Sequence, residues 1–306
     1  MNKRQKQVQQ SLLNNELAVI KQLEDSYKQA VKDIDGVITR LLARKDTENL
    51  QSVIYQVKYQ TALKKELEDF LRVLHSYNYK TINGYLNRCY RESHIGTLFD
   101  MQGQGVPLII GLDQEKMINA ITLNSKLSAP LYNALGYNVE VLKIDVMRDI
   151  SRGIAQDLSY QEMARNLKTT TNLDYNKSLR IAKTEGHRVQ CESAFNVQQR
   201  AKEKGANIMK QWDSTLDSRV RPSHQKVDGE IVEVEEKFSN GLMYPGDSDG
   251  MAKEVVNCRC ALLQRAKWAL TDEQFTKMNG KTNELQHFEN VDDYNEFKKI
   301  FWEVTK

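Results

Sequence analysis

The first 106 residues of this chain contain no proline, and the first 83 contain a single glycine, Gly36. Proline and glycine interrupt helices more often than other residues do, so their scarcity predicts long helices in this part of the chain. Apolar residues there recur at steps of three and four, which places them on one face of a helix. Segment 44–48 separates two such stripes, so we predict an antiparallel helical hairpin, with Asp46 or Thr47 as the N-cap of its second helix.

Long apolar runs are also missing. No run approaches the roughly 18 residues that a membrane span requires, and the N-terminus is polar where a signal peptide would be apolar. We therefore expect no membrane span and a protein that is made in a cytoplasm. Four cysteines in 306 residues are too few for a disulfide scaffold, which leaves reduced thiols or a metal site.

The chain lacks a general excess of positive charge, because its formal net charge is only +3. Segment 176–210 is an exception, with eight Lys or Arg residues against three Glu residues. It is either a solvated helix surface or a surface that contacts DNA phosphates without sequence preference. The candidate DNA-binding residues are Lys177, Lys183, Arg188, Arg200, Lys202 and Lys204.

Turn-forming residues divide the rest of the chain. Glycines between Gly96 and Gly111 predict a loop, segment 169–172 predicts a break between helices, and Gly205 predicts the end of the helix that follows. Short β-prone segments come next, at 208–212, 229–234 and 255–263.

The predicted fold class is α+β and predominantly α: a long N-terminal helical hairpin and a helical bundle, followed by a small β-containing module and C-terminal helices. The predicted regions are a coiled-coil-like 1–106, a helical 107–173, the module at 174–265 and a helical 266–306. A helical stripe packs either within its own chain or against a partner helix, and the second case would give self-association.

Five motifs follow one another in the second half of the chain. They are Arg180-Ile181-Ala182-Lys183-Thr184-Glu185, the segment from Trp212 to His224, Asp228-Gly229, Pro245-Gly246-Asp247 and Asn257-Cys258-Arg259-Cys260. This ordered set, over about 80 residues, resembles the phage Mu protein F-like minor head proteins. Val220 stands where that family often has Thr, and the N-terminal half carries no motif of the family.

The resemblance implies a minor capsid protein for head morphogenesis, present in few copies in the procapsid interior of a tailed phage. Its partners would be the portal protein, the scaffold and major capsid proteins, and packaged double-stranded DNA. Such a protein acts by binding, so we expect no enzymatic activity. We also expect no cofactor apart from a structural zinc ion.

Cys258 and Cys260 are two residues apart, so on a strand both thiols would point to the same face. With His224, and with Asp217 or Cys191 as a fourth ligand, they would form a tetrahedral zinc site. The alternative is a cluster without metal in which His224 forms a hydrogen bond with a carboxylate.

The polar residues of the motifs also suggest a structural latch between the helix and the sheet. Glu185 would pair with Arg219 or Arg221, because a buried carboxylate requires a partner. The residues expected in the latch are Arg180, Thr184, Glu185, Trp212 and Asn257.

Two other functions stay open. His224, Asp217, Arg219 and Arg221 are the residues that a phage-borne nuclease or toxin-like effector would use without a metal. The helical stripes would also suit a coiled-coil adaptor protein.

Overall fold

A computed structural model describes residues 1–43, 57–122, 144–146, 148–149, 152, 160–215, 217–267 and 291–305. Among the described residues, the first four helices are α1 (Lys3–Ala43), α2 (Val57–Gly103), α3 (Gln114–Thr122) and α4 (Tyr160–Glu203). They are followed by β1 (Ile208–Asp213), α5 (Pro222–Lys226), β2 (Ile231–Glu233), α6 (Ala252–Val255), β3 (Ala261–Ala266) and α7 (Tyr294–Val304). This architecture confirms the predicted α+β class with helices predominating.

The chain forms two compact units, each of which is discontinuous in sequence. The first unit contains Met1–Leu17, Gly84–Ala129 and Lys183–Lys306, and the second contains Ala18–Asn83 and Pro130–Ala182. Helices α1, α2 and α4 therefore contribute residues to both units. The sequence analysis expected four consecutive regions, because the sequence of a long helix does not show where its packing partners change.

In the first unit, α1 and α2 are antiparallel. Asn2 donates to Asp100 at 2.8 Å, and Ser11 donates to Glu92 at 2.8 Å, so residue numbers rise along one helix as they fall along the other. This arrangement confirms the hairpin for the first unit. The predicted cap residues Asp46 and Thr47 lie outside the described residues.

The second unit contains the following part of the same helices. The Ser26 hydroxyl donates to Asn78 Oδ1 at 2.9 Å, which again pairs α1 with α2. The Tyr27 hydroxyl lies 2.8 Å from the Ser178 hydroxyl, and the Tyr27 ring meets Tyr175 edge-on at 5.6 Å. Helix α4 therefore packs on α1 within this unit.

The loop predicted from the glycines begins later than expected, because α2 continues to Gly103. A Cβ atom at Gly96 would lie 2.3 Å from Cγ1 of Val8, and one at Gly103 would lie 2.4 Å from Cδ of Arg4. These glycines therefore allow α1 to approach α2 closely.

The break predicted at 169–172 is absent, since α4 is continuous through these residues. The Thr169 hydroxyl donates to the Arg165 carbonyl oxygen at 3.1 Å, a contact that suits a threonine inside a helix. The predicted end of the helix is confirmed. Gly205 has a φ of 90°, and the Ala206 amide donates to the Ala201 carbonyl at 3.0 Å.

The small sheet has the strand order β2-β1-β3, and both pairings are antiparallel. The first two predicted strands are confirmed, but the third begins only at Ala261, after α6 and a turn. Asn257 in that turn has a φ of 55°, which interrupts the extended chain. Cys258 and Cys260 therefore precede the strand on which they were predicted to lie.

Helix α7 closes the core of the first unit, and this helix was expected. Asp293 caps it by accepting from the backbone amides of Asn295 and Glu296. The Phe297 ring packs 5.4 Å from Phe99, and Phe301 is fully buried. The rest of the predicted C-terminal helical region, residues 268–290, lies outside the described residues.

Within the described part of the chain, no helix combines the length and the apolar content that a membrane crossing needs.

Candidate functional site

Trp212, the best-buried aromatic residue of the motifs, lies near the end of β1 with none of its surface exposed. Its ring meets His224 edge-on at 5.1 Å and Phe238 edge-on at 5.2 Å. The indole Nε1 donates to the Ser214 hydroxyl at 3.0 Å, and that hydroxyl donates to the His224 carbonyl oxygen at 2.8 Å. Trp212 and Ser214 therefore fasten the start of the segment to α5, which carries His224.

The Asp228-Gly229 motif closes the hairpin between β1 and β2. The Asp228 carboxylate accepts from the Ser214 amide at 2.7 Å, and the Gly229 amide donates to the Trp212 carbonyl at 2.9 Å. Gly229 has a φ of 76°, which favours glycine. The third motif thus bonds directly to the second.

Asp217 pairs with Arg259 at the surface. The two guanidinium nitrogens lie 2.5 and 2.7 Å from the carboxylate oxygens, and both side chains are partly exposed. This guanidinium holds the pKa of Asp217 at about 2, well below its usual range. The pair joins the second motif to the fifth and places Asp217 away from the predicted metal ligands.

His224, Cys258 and Cys260 do come together. His224 Nδ1 lies 3.3 Å from the Cys260 Sγ and 3.7 Å from the Cys258 Sγ, and all three residues are buried. The hydrogen bond between the two cysteines lowers the pKa of Cys260 and, together with burial, raises that of Cys258. The structure thus brings these three residues together, although they do not share a strand.

The other side of the His224 ring faces Glu254, which the sequence analysis did not single out. His224 Nε2 lies 3.1 Å from Glu254 Oε2, and the Ser223 hydroxyl donates to the same oxygen at 2.7 Å. His224 is only 1% exposed, so both ring nitrogens face protein groups in a closed environment. Thirty residues separate Glu254 from His224, and no periodic pattern links them.

The predicted latch has a different partner for its carboxylate. Glu185 pairs with Arg188, one helical turn along α4, at 2.9 Å, and both side chains are buried. Arg221 donates instead to the carbonyl oxygen of Val256. Glu185 and Arg188 are three residues apart on one helix, a spacing at which side chains of opposite charge pair. This spacing is visible in the sequence and could have predicted the pair.

Other predicted latch residues do tie α4 to the turn before β3. The Asn257 amide donates to the Thr184 hydroxyl at 3.2 Å. His187, one turn further along α4, lies with Nε2 2.6 Å from the Cys260 carbonyl oxygen. Arg180, by contrast, has an exposed side chain. The contact between helix and turn therefore comes from Thr184 and His187.

The Pro-Gly-Asp motif packs on the same helix. Gly246 has a φ of 82°, and a Cβ atom there would lie 3.1 Å from His187 Nδ1 and 3.3 Å from the Arg188 Cα. The Asp247 carboxylate accepts from the Met243 amide at 2.8 Å and so shapes the loop. Four of the motifs thus bond to or pack against another motif or α4.

Fewer side chains of the basic segment 176–210 are free to contact DNA than its charge suggested. Arg188 is 2% exposed and pairs with Glu185 and Glu192, so it cannot reach DNA, which corrects its assignment as a DNA-binding residue. Lys202 pairs with Glu233 at 2.9 Å. Two other candidates also have partners: Arg200 donates to the Gly111 carbonyl, and Lys183 lies 3.6 Å from Glu16. Of the remaining two, Lys177 belongs to the second unit and Lys204 is exposed.

A cleft of about 640 Å³ in the first unit presents a second group of basic residues. Lys183, Arg219, Arg221 and Arg259 line it, and Glu16 lines it as well. The cleft therefore combines positive side chains from α4 and from two of the motifs.

Comparison with known proteins finds one matching family and two similar proteins. The family described as phage Mu protein F like protein matches residues 144–263. A protein of Bacillus phage SPP1, the minor head protein GP7, is 28% identical over 79% of this chain and 80% of its own length. No solved structure matches.

A second relative has a different name. The NAD(+)--arginine ADP-ribosyltransferase EFV of Enterococcus faecalis is 28% identical over 96% of this chain. The chain spans only 60% of the length of that relative. The family match, at residues 144–263, covers all five motifs, so this part of the chain is similar to the phage Mu protein F like proteins, and most of the chain is similar to a phage minor head protein.

Proposed function

We propose that this protein joins the procapsid of a tailed bacteriophage at the portal and acts there by binding, without turnover. The alignment of 79% of the chain with the SPP1 minor head protein carries this proposal. The motif residues support it, because they bond to one another and leave His224 enclosed. The partners would then be the portal, scaffold and major capsid proteins, and the location would be the interior of the virion.

We do not propose the transferase activity named for the Enterococcus relative as the function of this chain. One region of this chain aligns with both relatives, and about two fifths of the transferase lies outside the alignment. The nuclease alternative is disfavoured by the burial of His224, because a general base must reach a proton of its substrate. The proposed role of this chain is therefore assembly.

Coproduction with the portal, scaffold and major capsid proteins encoded beside its gene tests the proposal. We expect the chain to cosediment with procapsids that contain the portal and to be absent from procapsids assembled without it. A gene neighbourhood without portal and terminase genes would favour the adaptor alternative. Procapsids that contain the portal but never this chain would refute the proposal.

The portal-binding surface is proposed to include the apolar stripe of α1. Leu13 and Leu17 lie one turn apart on α1, and they are 43% and 62% exposed although both are apolar. A variant with both residues changed to aspartate should enter procapsids about tenfold less, because an interface loses affinity when a charge replaces a buried apolar contact. Ile231→Asp, which changes an exposed residue of β2, is the matched control and should enter normally.

We also propose that the basic cleft contacts the phosphates of packaged DNA. Lys183, Arg219 and Arg221 present cationic groups on one concave surface, which suits a sequence-independent contact. Arg188 takes no part in this contact because it is buried.

Binding of double-stranded DNA should weaken several-fold in Arg219→Glu and should fall steeply from low to moderate salt, because counterions are released on binding. Lys237→Glu makes the same charge change at an exposed residue outside the cleft and should bind like the wild type. Fluorescence anisotropy with a labelled duplex measures both effects. Equal affinity of Arg219→Glu and the wild type, or affinity independent of salt, would contradict the proposal.

A further inference from the structure

We infer that His224, Cys258 and Cys260 bind a zinc ion. Among the described residues these three form a group whose ligand atoms all lie within 4.8 Å of one another. Imidazole nitrogen and cysteine sulfur are the ligands that zinc prefers in structural sites.

The distances within the group match a tetrahedral zinc site. Zinc bonds to sulfur at about 2.3 Å and to imidazole nitrogen at about 2.0 Å, so a tetrahedral angle separates nitrogen from sulfur by about 3.5 Å. His224 Nδ1 lies 3.3 Å from the Cys260 Sγ and 3.7 Å from the Cys258 Sγ, on either side of that value. Small movements would therefore place all three atoms at bonding distance from one ion.

The surroundings of His224 prepare its Nδ1 for this role. Glu254 Oε2 lies 3.1 Å from Nε2, and Ser223 holds the same carboxylate oxygen by a hydrogen bond of 2.7 Å. The contact is not a hydrogen bond. A carboxylate this close to one imidazole nitrogen nevertheless favours the proton on that nitrogen and leaves the lone pair of the other for a metal. Glu254 is thus a positioning residue in the proposed site.

Charge balance also favours zinc at this buried position. Two cysteine thiolates carry two negative charges, which neutralise the charge of the ion, and the imidazole is neutral when it binds a metal. The site would then have no net charge, which avoids the high cost of burying an unpaired charge.

The fourth ligand differs from those that the sequence suggested. Asp217 is engaged by Arg259 at the surface, and the Cys191 Sγ lies 3.6 Å from His187 Nε2. A cavity of about 10 Å³ touches both His224 and Cys260, which is about the smallest cavity that admits one water molecule. We therefore assign the fourth position to a water molecule.

Metal analysis of the full chain tests the site. The chain is produced in medium supplemented with zinc and purified without chelators or a nickel column. Elemental mass spectrometry should find about one zinc per chain in the wild type, and less than about a tenth of that in Cys258→Ser and in Cys260→Ser. Cys89→Ser is the matched control, because Cys89 is another buried cysteine of the first unit that lies outside the group. Asp217→Asn should also retain its zinc.

Folded wild-type protein without zinc would overturn the inference and would leave a hydrogen-bonded cluster of two thiols and an imidazole. If the serine variants fail to fold, the absorption spectrum of metal-free wild type after addition of cobalt(II) decides whether the site binds metal. A thiolate-to-cobalt charge-transfer band with tetrahedral d–d bands supports the site, and a spectrum without thiolate charge transfer overturns it. This test is independent of procapsid assembly, so its failure would not affect the proposed function.

Discussion

Replacing Glu185 by alanine is expected to lower the free energy of unfolding by about 3–5 kcal/mol. Glu185 is fully buried and Arg188 is 2% exposed, and the Arg188 Nε lies 2.9 Å from the Glu185 carboxylate. The arginine would keep its contacts with Glu192 and with the Ala120 carbonyl, but it would lose its most deeply buried partner. Glu192 would then be its remaining carboxylate partner, and a buried charge that loses part of its compensation is costly in a protein interior.

Urea unfolding followed by tryptophan fluorescence measures this loss. Trp212 and Trp302 lie in the first unit, so their fluorescence reports on the unit that contains Glu185. Glu185→Gln keeps the shape and the hydrogen-bonding capacity, so it should lose only about 1–3 kcal/mol.

Glu235→Ala is the control for an exposed ion pair in the same unit. Glu235 is 60% exposed and pairs with Lys202, so its removal should cost less than about 1 kcal/mol. Similar unfolding curves for Glu185→Ala and Glu235→Ala would show that the buried pair does not stabilise the protein.

Replacing Trp212 by alanine should lower the free energy of unfolding by a similar amount, about 3–5 kcal/mol. The indole is fully buried and packs edge-on against His224 and Phe238. Its removal opens a cavity at the junction of β1 and α5 and also removes the hydrogen bond to Ser214. Both losses fall on the segment that positions His224.

Trp212→Phe separates the two contributions. It keeps most of the packing but has no donor for the Ser214 hydroxyl, so a loss of about 1–2 kcal/mol is expected. Trp302 remains in both variants and reports the unfolding of the first unit by its fluorescence. Ile231→Ala, at a 46% exposed residue of the same sheet, should change stability little. A loss below about 1 kcal/mol in Trp212→Ala would contradict this role of the indole.

Features that depend on local rules were predicted well from the sequence. The long helices follow from the scarcity of proline and glycine, the stop at Gly205 follows from its freedom at positive φ, and the first two strands follow from β-prone residues between turns. Local rules gave a wrong prediction at Gly96 and Gly103. Glycine there allows α1 to approach α2 closely, and the sequence does not distinguish a glycine needed for a close contact from one needed for a loop.

Within the candidate site, the sequence identified most of the participants but not their partners. It grouped His224 with Cys258 and Cys260 and marked Glu185 as a buried carboxylate, because these residue types are costly to bury without a use. It assigned Arg219 or Arg221 to Glu185 and Asp217 or Cys191 to the metal group, whereas the structure pairs Glu185 with Arg188 and Asp217 with Arg259.

By itself, then, the sequence determined the resemblance to phage minor head proteins, the fold class and the residues that carry the motifs. Only the tertiary structure decided which of these residues meet, that Glu254 faces His224, and that Arg188 is buried while Arg219 is exposed. The physical reason is that residue type and spacing act along the chain. Burial and pairing, by contrast, depend on turns such as that at Asn257, whose φ of 55° sets the direction of the segment that follows.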